Sequence, residues 1–122
     1  MNLLLDTNAL IRWCAGTLRE RVMHEVRRAD VIAVSAVSAW EIAIKRSVGK
    51  LRFPETVEQV GAANGFLMIP VTVRHADALR SLPLHHADPF DRLLIAQAID
   101  EGFTIVTSDR AFEPYRVPVV WI

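Results

Sequence analysis

Cysteine is nearly absent: Cys14 stands alone, which excludes an internal disulfide and a cysteine cage for zinc and fits a reducing compartment. Its simplest role is that of a small core hydrophobe. Charge of one sign is missing too, since 14 Lys and Arg balance 14 Asp and Glu. A molecule without net charge exerts no long-range pull on nucleic acid, so any polyanion must be held by a local basic rim or by bound cations. No apolar stretch approaches the roughly 20 residues that span a bilayer, because Arg, Asp or Glu recurs every few positions. The start, Met1-Asn2-Leu3-Leu4-Leu5-Asp6, lacks the basic and apolar segments of a secretory signal. The expectation is a cytoplasmic chain with no membrane partner. Repeats, low-complexity tracts, linkers, a Walker loop and a glycine-rich dinucleotide turn are all missing.

What is present suits a packed core. Of 122 residues, 52% are apolar and 23% charged, too hydrophobic for a disordered chain and too short for a second domain. The expectation is a single domain over residues 1–122. Leu3 to Leu5 reads as a strand, followed by a helix with Ala9, Leu10, Trp13 and Cys14 at helical spacing. Leu18 to Ala29 has an apolar stripe typical of a surface helix, and Val31 to Val34 is a second strand. After Ser35 to Ser38 comes a helix whose Trp40, Ala43, Ile44 and Val48 are expected to face inward, stopped by Gly49. Thr56 and Gln59 form a capping pair; Phe66 to Val71 makes a third strand, with Pro70 suggesting an edge. A helix over Val73 to Leu82, a loop over residues 83–87, and a helix opening at Asp88-Pro89 follow, the last with Leu94, Ile95, Ala98 and Ile99 inward and Gly102 at its end. Thr104 to Thr107 and Val117 to Ile122 are the last strands.

Strands alternating with helices argue for an α/β fold with a mainly parallel sheet covered on both faces, where ligands bind along the carboxyl edge of the strands. Asp6 ends the first strand, Glu41 lies in the opening turns of the helix after the second, and Asp109 follows Thr104 to Thr107. Asp91 lies in the first turn of a helix that begins at the same edge. Each acid alone has another use, because first-turn carboxylates cap amides and complement the helix dipole; Ser38 and Glu41 even have capping-box spacing. Phase and number argue for more. Asp91 shares a stripe with Leu94, Ile95 and Ala98, Glu41 lines up with Ile44 and Val48, and crowded like charges are tolerable only with cations. Carboxylates without nitrogen or sulfur donors suit Mg²⁺ or Mn²⁺. Such ions lower the pKa of a coordinated water and neutralise a phosphodiester, so no side-chain nucleophile is required.

At these residues the sequence resembles the PIN-domain nucleases, in particular the VapC-type toxins. The resemblance is carried by Leu4 to Leu10, by Ser35 to Lys45 with Trp40-Glu41-Ile42-Ala43-Ile44-Lys45, by Leu82 to Ala98 with Asp88-Pro89-Phe90-Asp91-Arg92, and by Val106 to Phe112. It implies a PIN-like three-layer fold with about five strands flanked by helices, a homodimer, Mg²⁺- or Mn²⁺-dependent endonuclease action on RNA, and inhibition by a cognate antitoxin protein. It places Asp6, Glu41, Asp91 and Asp109 on the family's acidic metal-binding positions. Asn8 falls where a residue orients an acid or a metal-bound water, and Thr107 and Ser108 fall where the family favours hydroxyls that also cap the following turn.

Lys45, Arg92 and Arg110, with Arg12, lie near carboxylates and are candidate phosphate contacts, although surface pairing also accounts for them. Asp88 reads as a cap. His85 and His86, adjacent on a loop, point to opposite sides and read as surface residues; His24 and His75 lack ligand-spaced neighbours. Trp13, Trp40 and Phe90 suit core or dimer packing. Rival readings are weaker: a haloacid-dehalogenase-like phosphatase wants an acid where Asn8 stands, and a phospho-receiver wants one where Pro70 and Thr72 stand. A PIN-like module that only binds RNA or protein is the non-enzyme alternative, but all four acids are present.

Overall fold

The computed structural model describes residues 1–122, and its central strand explains the layering. In β1 (Asn2–Leu5), Leu3, Leu4 and Leu5 are all fully buried, as befits a strand covered on both faces. Alternation sends Leu3 and Leu5 into one apolar cluster and Leu4 into another. The first cluster lies under α1 (Thr7–Ala15), α2 (Glu20–Arg27) and α4 (Val57–Asn64); the second is filled mainly by α6 (Pro89–Glu101) and the C-terminal loop.

The other strands are β2 (Val31–Ser35), β3 (Leu67–Ile69), β4 (Thr104–Thr107) and β5 (Val119–Trp121), in the order β3-β2-β1-β4-β5. Every pairing is parallel, where a mainly parallel sheet was expected. The chain runs outward from β1 through β2 to β3, then returns to add β4 on the other side of β1. The switch point therefore lies between β1 and β4, the place where the carboxyl edge opens a crevice.

The proline-bearing segments are shorter strands than expected. Pro70 and Pro118 flank β3 and β5, both edge strands, because proline has no N–H for the ladder. The helix expected over Val73 to Leu82 ends as α5 (Val73–Ala78), after which residues 79–82 continue in tighter i→i−3 turns. Pro83 disfavours helical geometry at Leu82 and accounts for the stop. In α3 (Ala36–Ser47) the inward face is Val37, Ser38, Glu41 and Ile42. Trp40, Ile44 and Val48 are instead 57%, 41% and 60% exposed, and Ala43 is exposed as well. The helix carries two candidate stripes, and two polar residues in the buried one made the outer one look like the core face. Ile99 and Cys14 are likewise exposed rather than buried. No helix is long and apolar enough to cross a membrane.

Candidate active site

Four peptide segments meet where β1 and β4 diverge. Asp6 is the N-cap of α1, its Oδ1 accepting from Ala9 N at 2.7 Å, while its own amide extends the ladder to Val106 O at 3.1 Å. Asp109 caps the 3₁₀ turn Arg110–Phe112 by accepting from Ala111 N at 2.9 Å. Asp88 caps α6, accepting from the amides of Phe90 and Asp91 at 2.8 and 3.1 Å, and so sets Asp91 at the helix start. Ser35, not Ser38, is the cap of α3, and Ser38 instead accepts from the Thr7 hydroxyl at 3.0 Å. That bond ties α3, and with it Glu41, to α1. Ser35 also donates to buried Gln97 of α6, whose amide donates to Pro70 O at 3.1 Å.

The result is a cavity of about 340 Å³ walled by Asp6, Thr7, Asn8, Ile11, Glu41, Lys45, Asp88, Asp91, Ser108 and Asp109. All four expected acids line it. Asn8 reaches Ser108 Oγ at 3.4 Å, closing the gap between α1 and the segment after β4. Thr107 is buried behind the wall, accepting from Asp109 N at 3.0 Å and hydrogen-bonding Asp6. It supports the acids from beneath. Thr7 and Ile11 were not anticipated.

The electrostatics match a site short of positive charge. Burial raises the Asp6 carboxyl to about 6; bonds from Thr107 and Ala9 pull it down, and the charges of Glu41 and Asp109 push it up further. Burial also raises Asp91 to about 7, joined by the charges of Asp88 and Asp6 and opposed by His86. Glu41 is buried, with Oε2 paired to Lys45 at 2.7 Å and Oε1 left without any hydrogen-bond partner. A buried carboxylate oxygen that no protein group satisfies is costly, and a cation in the cavity relieves that cost. The donor set is mainly carboxylate oxygen, with the His86 nitrogen the one softer atom beside Asp91 and Asp109, and together with this open oxygen it suits a hard divalent cation.

Two expectations change at the periphery. Arg92 does not line the cavity: its guanidinium donates to Pro83 O at 2.8 Å, Leu82 O at 3.2 Å and Leu79 O at 3.4 Å, satisfying carbonyls at the end of the α5 turns. Arg110 lies over the Trp121 ring at 4.2 Å, beside the cavity rather than in its wall. Of the four candidate cations Lys45 borders it, and Arg12, like Arg92 and Arg110, does not.

The histidines also differ from expectation. His85 stacks edge-on against Tyr115 with centroids 5.1 Å apart, while His86 places Nε2 2.9 Å from Asp91 and 3.5 Å from Asp109. The two do point apart, yet one of them meets two carboxylates of the cavity wall. Nothing local in the sequence marks this, because the loop's course is set by contacts with Tyr115. His75 is 1% exposed and meets Asp100 and Glu101 of α6 at 3.3 and 3.1 Å. Its Nδ1 accepts from Thr72 N at 3.0 Å, so the proton sits on Nε2 and no lone pair remains there for a cation. That trio is a structural tie between α5 and α6.

A family profile described as the PIN domain matches residues 3–117. Ribonuclease VapC22 of Mycobacterium tuberculosis is 30% identical over 126 residues, covering 97% of each chain. In fold, the chain is similar to VapBC2 from Rickettsia felis bound to a DNA fragment from their promoter, at TM-score 0.75 and 16% identity over 100% of this chain and 99% of that one. A toxin–antitoxin complex from Klebsiella pneumoniae gives TM-score 0.69 and 18% identity over 98% and 96%. The profile match over nearly the whole chain and the relative of 30% identity agree: the chain belongs to the PIN-domain family.

Proposed function

We propose that this protein is a divalent-metal-dependent endoribonuclease that serves as the toxin of a toxin–antitoxin pair. The observation that carries the reading is the convergence of Asp6, Glu41, Asp91 and Asp109 on one cavity, with a buried Glu41 oxygen left unpaired. Its relative VapC22 is a ribonuclease, which supports RNA as the substrate. Asp6, Asp91 and Asp109, with Glu41, hold the ion; Thr107, Ser108 and Asn8 keep the acids in place. When bound, Mg²⁺ or Mn²⁺ supplies charge neutralisation for the phosphodiester and acidifies water enough for attack at neutral pH. Purified protein incubated with RNA and Mn²⁺ should cut internally and stop when the ion is chelated; RNA left intact over a range of sequences and metals would reject the reading.

Lys45 is the residue on the rim suited to a backbone phosphate, since its half-exposed ammonium already leans over the acidic wall. Lys45→Ala should weaken RNA binding similarly for all sequences and lower the slope of log affinity against log salt by about 1. An unchanged slope would assign Lys45 to Glu41 alone.

Partners are read from two apolar features. A largely apolar trough of about 320 Å³, lined by Ile11, Cys14, Phe53, Pro54 and Val60 together with Arg52 and Glu55, shares Ile11 with the acidic cavity, and we read it as the place where an antitoxin segment docks. Solved relatives in fold include toxin–antitoxin complexes, in keeping with such a partner. The second feature is the exposed Trp40, Ile44 and Val48 stripe, with Trp40 edge-on to Phe90 at 4.8 Å. An apolar face of this kind suits a homodimer. Trp40→Glu should therefore convert a dimer to a monomer by sedimentation without unfolding it, whereas an unaltered mass would remove this face from the interface.

A further inference from the structure

We infer that His86 is a positioning residue of the acidic cavity: its Nε2–H orients Asp91 toward the cation without itself becoming a ligand. This rests on the metal reading above and adds a residue to it. The backbone that carries the imidazole is anchored at several points. The amides of His85 and His86 both donate to the Tyr115 hydroxyl, at 3.1 and 2.9 Å. Tyr115 is buried, and Arg92 of α6 donates to the same oxygen at 3.3 Å while gripping the loop's first carbonyls. The loop is thus fixed to both the helix that bears Asp91 and the segment that follows Asp109.

The ring's own bonds decide its role. Asp88 N donates to Nδ1 at 3.4 Å, so Nδ1 acts as the acceptor and the proton resides on Nε2. That proton faces Asp91 Oδ2 at 2.9 Å, with Asp109 Oδ2 next at 3.5 Å. A protonated ring nitrogen has no lone pair for a metal, but it holds one carboxylate oxygen and leaves the other for the cavity. Outer contacts of this sort align ligands, and their loss commonly weakens metal binding about 10- to 100-fold.

The test is Mn²⁺ affinity by calorimetry, with pulsed paramagnetic resonance of the Mn²⁺-loaded protein to detect any coordinated imidazole nitrogen. His86→Ala should weaken Mn²⁺ binding about 10-fold or more. His86→Gln, which offers an N–H near the same place, should recover most of it. Tyr115→Phe should weaken binding in the wild-type background and add little to His86→Ala, because Tyr115 acts through the loop. The wild-type spectrum should show no directly bound nitrogen. A bound nitrogen would make His86 a ligand and overturn the inference, as would wild-type affinity in His86→Ala or a glutamine variant as weak as alanine. Failure of the wild type to take up Mn²⁺ would instead overturn the metal reading itself.

Discussion

Asp91→Asn is expected to lower RNA cleavage by at least about 10³-fold, equivalent to about 4 kcal/mol of barrier, while the protein stays folded. Asp6→Asn should do the same. These substitutions separate the two uses of a first-turn carboxylate. Asparagine caps a helix about as well as aspartate, so Asn at position 6 can still accept from Ala9 N, the bond that Asp6 makes at 2.7 Å. At position 91 the side-chain oxygen can still accept from His86, and the α6 cap is supplied by Asp88. What is removed is the negative charge a hard cation needs. Cleavage close to wild type in both variants would mean that the acids only cap helices.

The second large effect is on stability. Asp6 and Asp91 hold their protons up to about 6 and about 7 in the folded metal-free protein, against an ordinary 3.8. Between those limits the folded state binds more protons than the unfolded one, so raising the pH removes stability. For buried Asp6 the loss is about 3 kcal/mol, and Asp91 adds to it. In the presence of chelator, Tm should therefore fall on the order of 10 °C between pH 4 and pH 7.5. Mn²⁺ reverses the trend because it takes the deprotonated acids: at 100 times its Kd it restores about 2.7 kcal/mol. It should do so at pH 7.5 and far less at pH 5, where protons compete. Asp91→Asn removes one of the buried charges, so at pH 7.5 the metal-free variant should be more stable than wild type and nearly indifferent to Mn²⁺. A metal-free Tm that rises steadily with pH through this window would contradict the crowding of charge on which the site depends.

Much of this architecture was legible in the chain because its signals are local. Leu3-Leu4-Leu5 is apolar at every position, as a short strand buried on both faces is, and Asp88-Pro89 with Gly102 brackets α6 by capping chemistry alone. The four acids could be placed on one edge because strand ends and helix starts coincide in a parallel sheet. Residues whose setting depends on distant partners were not legible. Glu41 does face inward, but with Val37, Ser38 and Ile42 rather than with Ile44 and Val48. The helix that carries it is tied to α1 by the Thr7–Ser38 hydroxyl bond, between residues 31 apart in sequence. Arg92 looked free for phosphate until the turns after α5 claimed it. His86 reaches Asp91 of the cavity wall from a loop whose amide is anchored by Tyr115, 29 residues further on. Cys14 shows the same limit in an apolar residue, since helical spacing placed it inward while the shape of the trough leaves it open to solvent.

Crystals soaked in Mn²⁺ and measured for its anomalous scattering test the central claim most directly. The account predicts a peak in the cavity between β1 and β4, within coordinating reach of carboxylate oxygens of Asp6 and Asp91, with Asp109 and Glu41 alongside. A peak elsewhere, or none at an Mn²⁺ concentration that supports RNA cleavage, would contradict it.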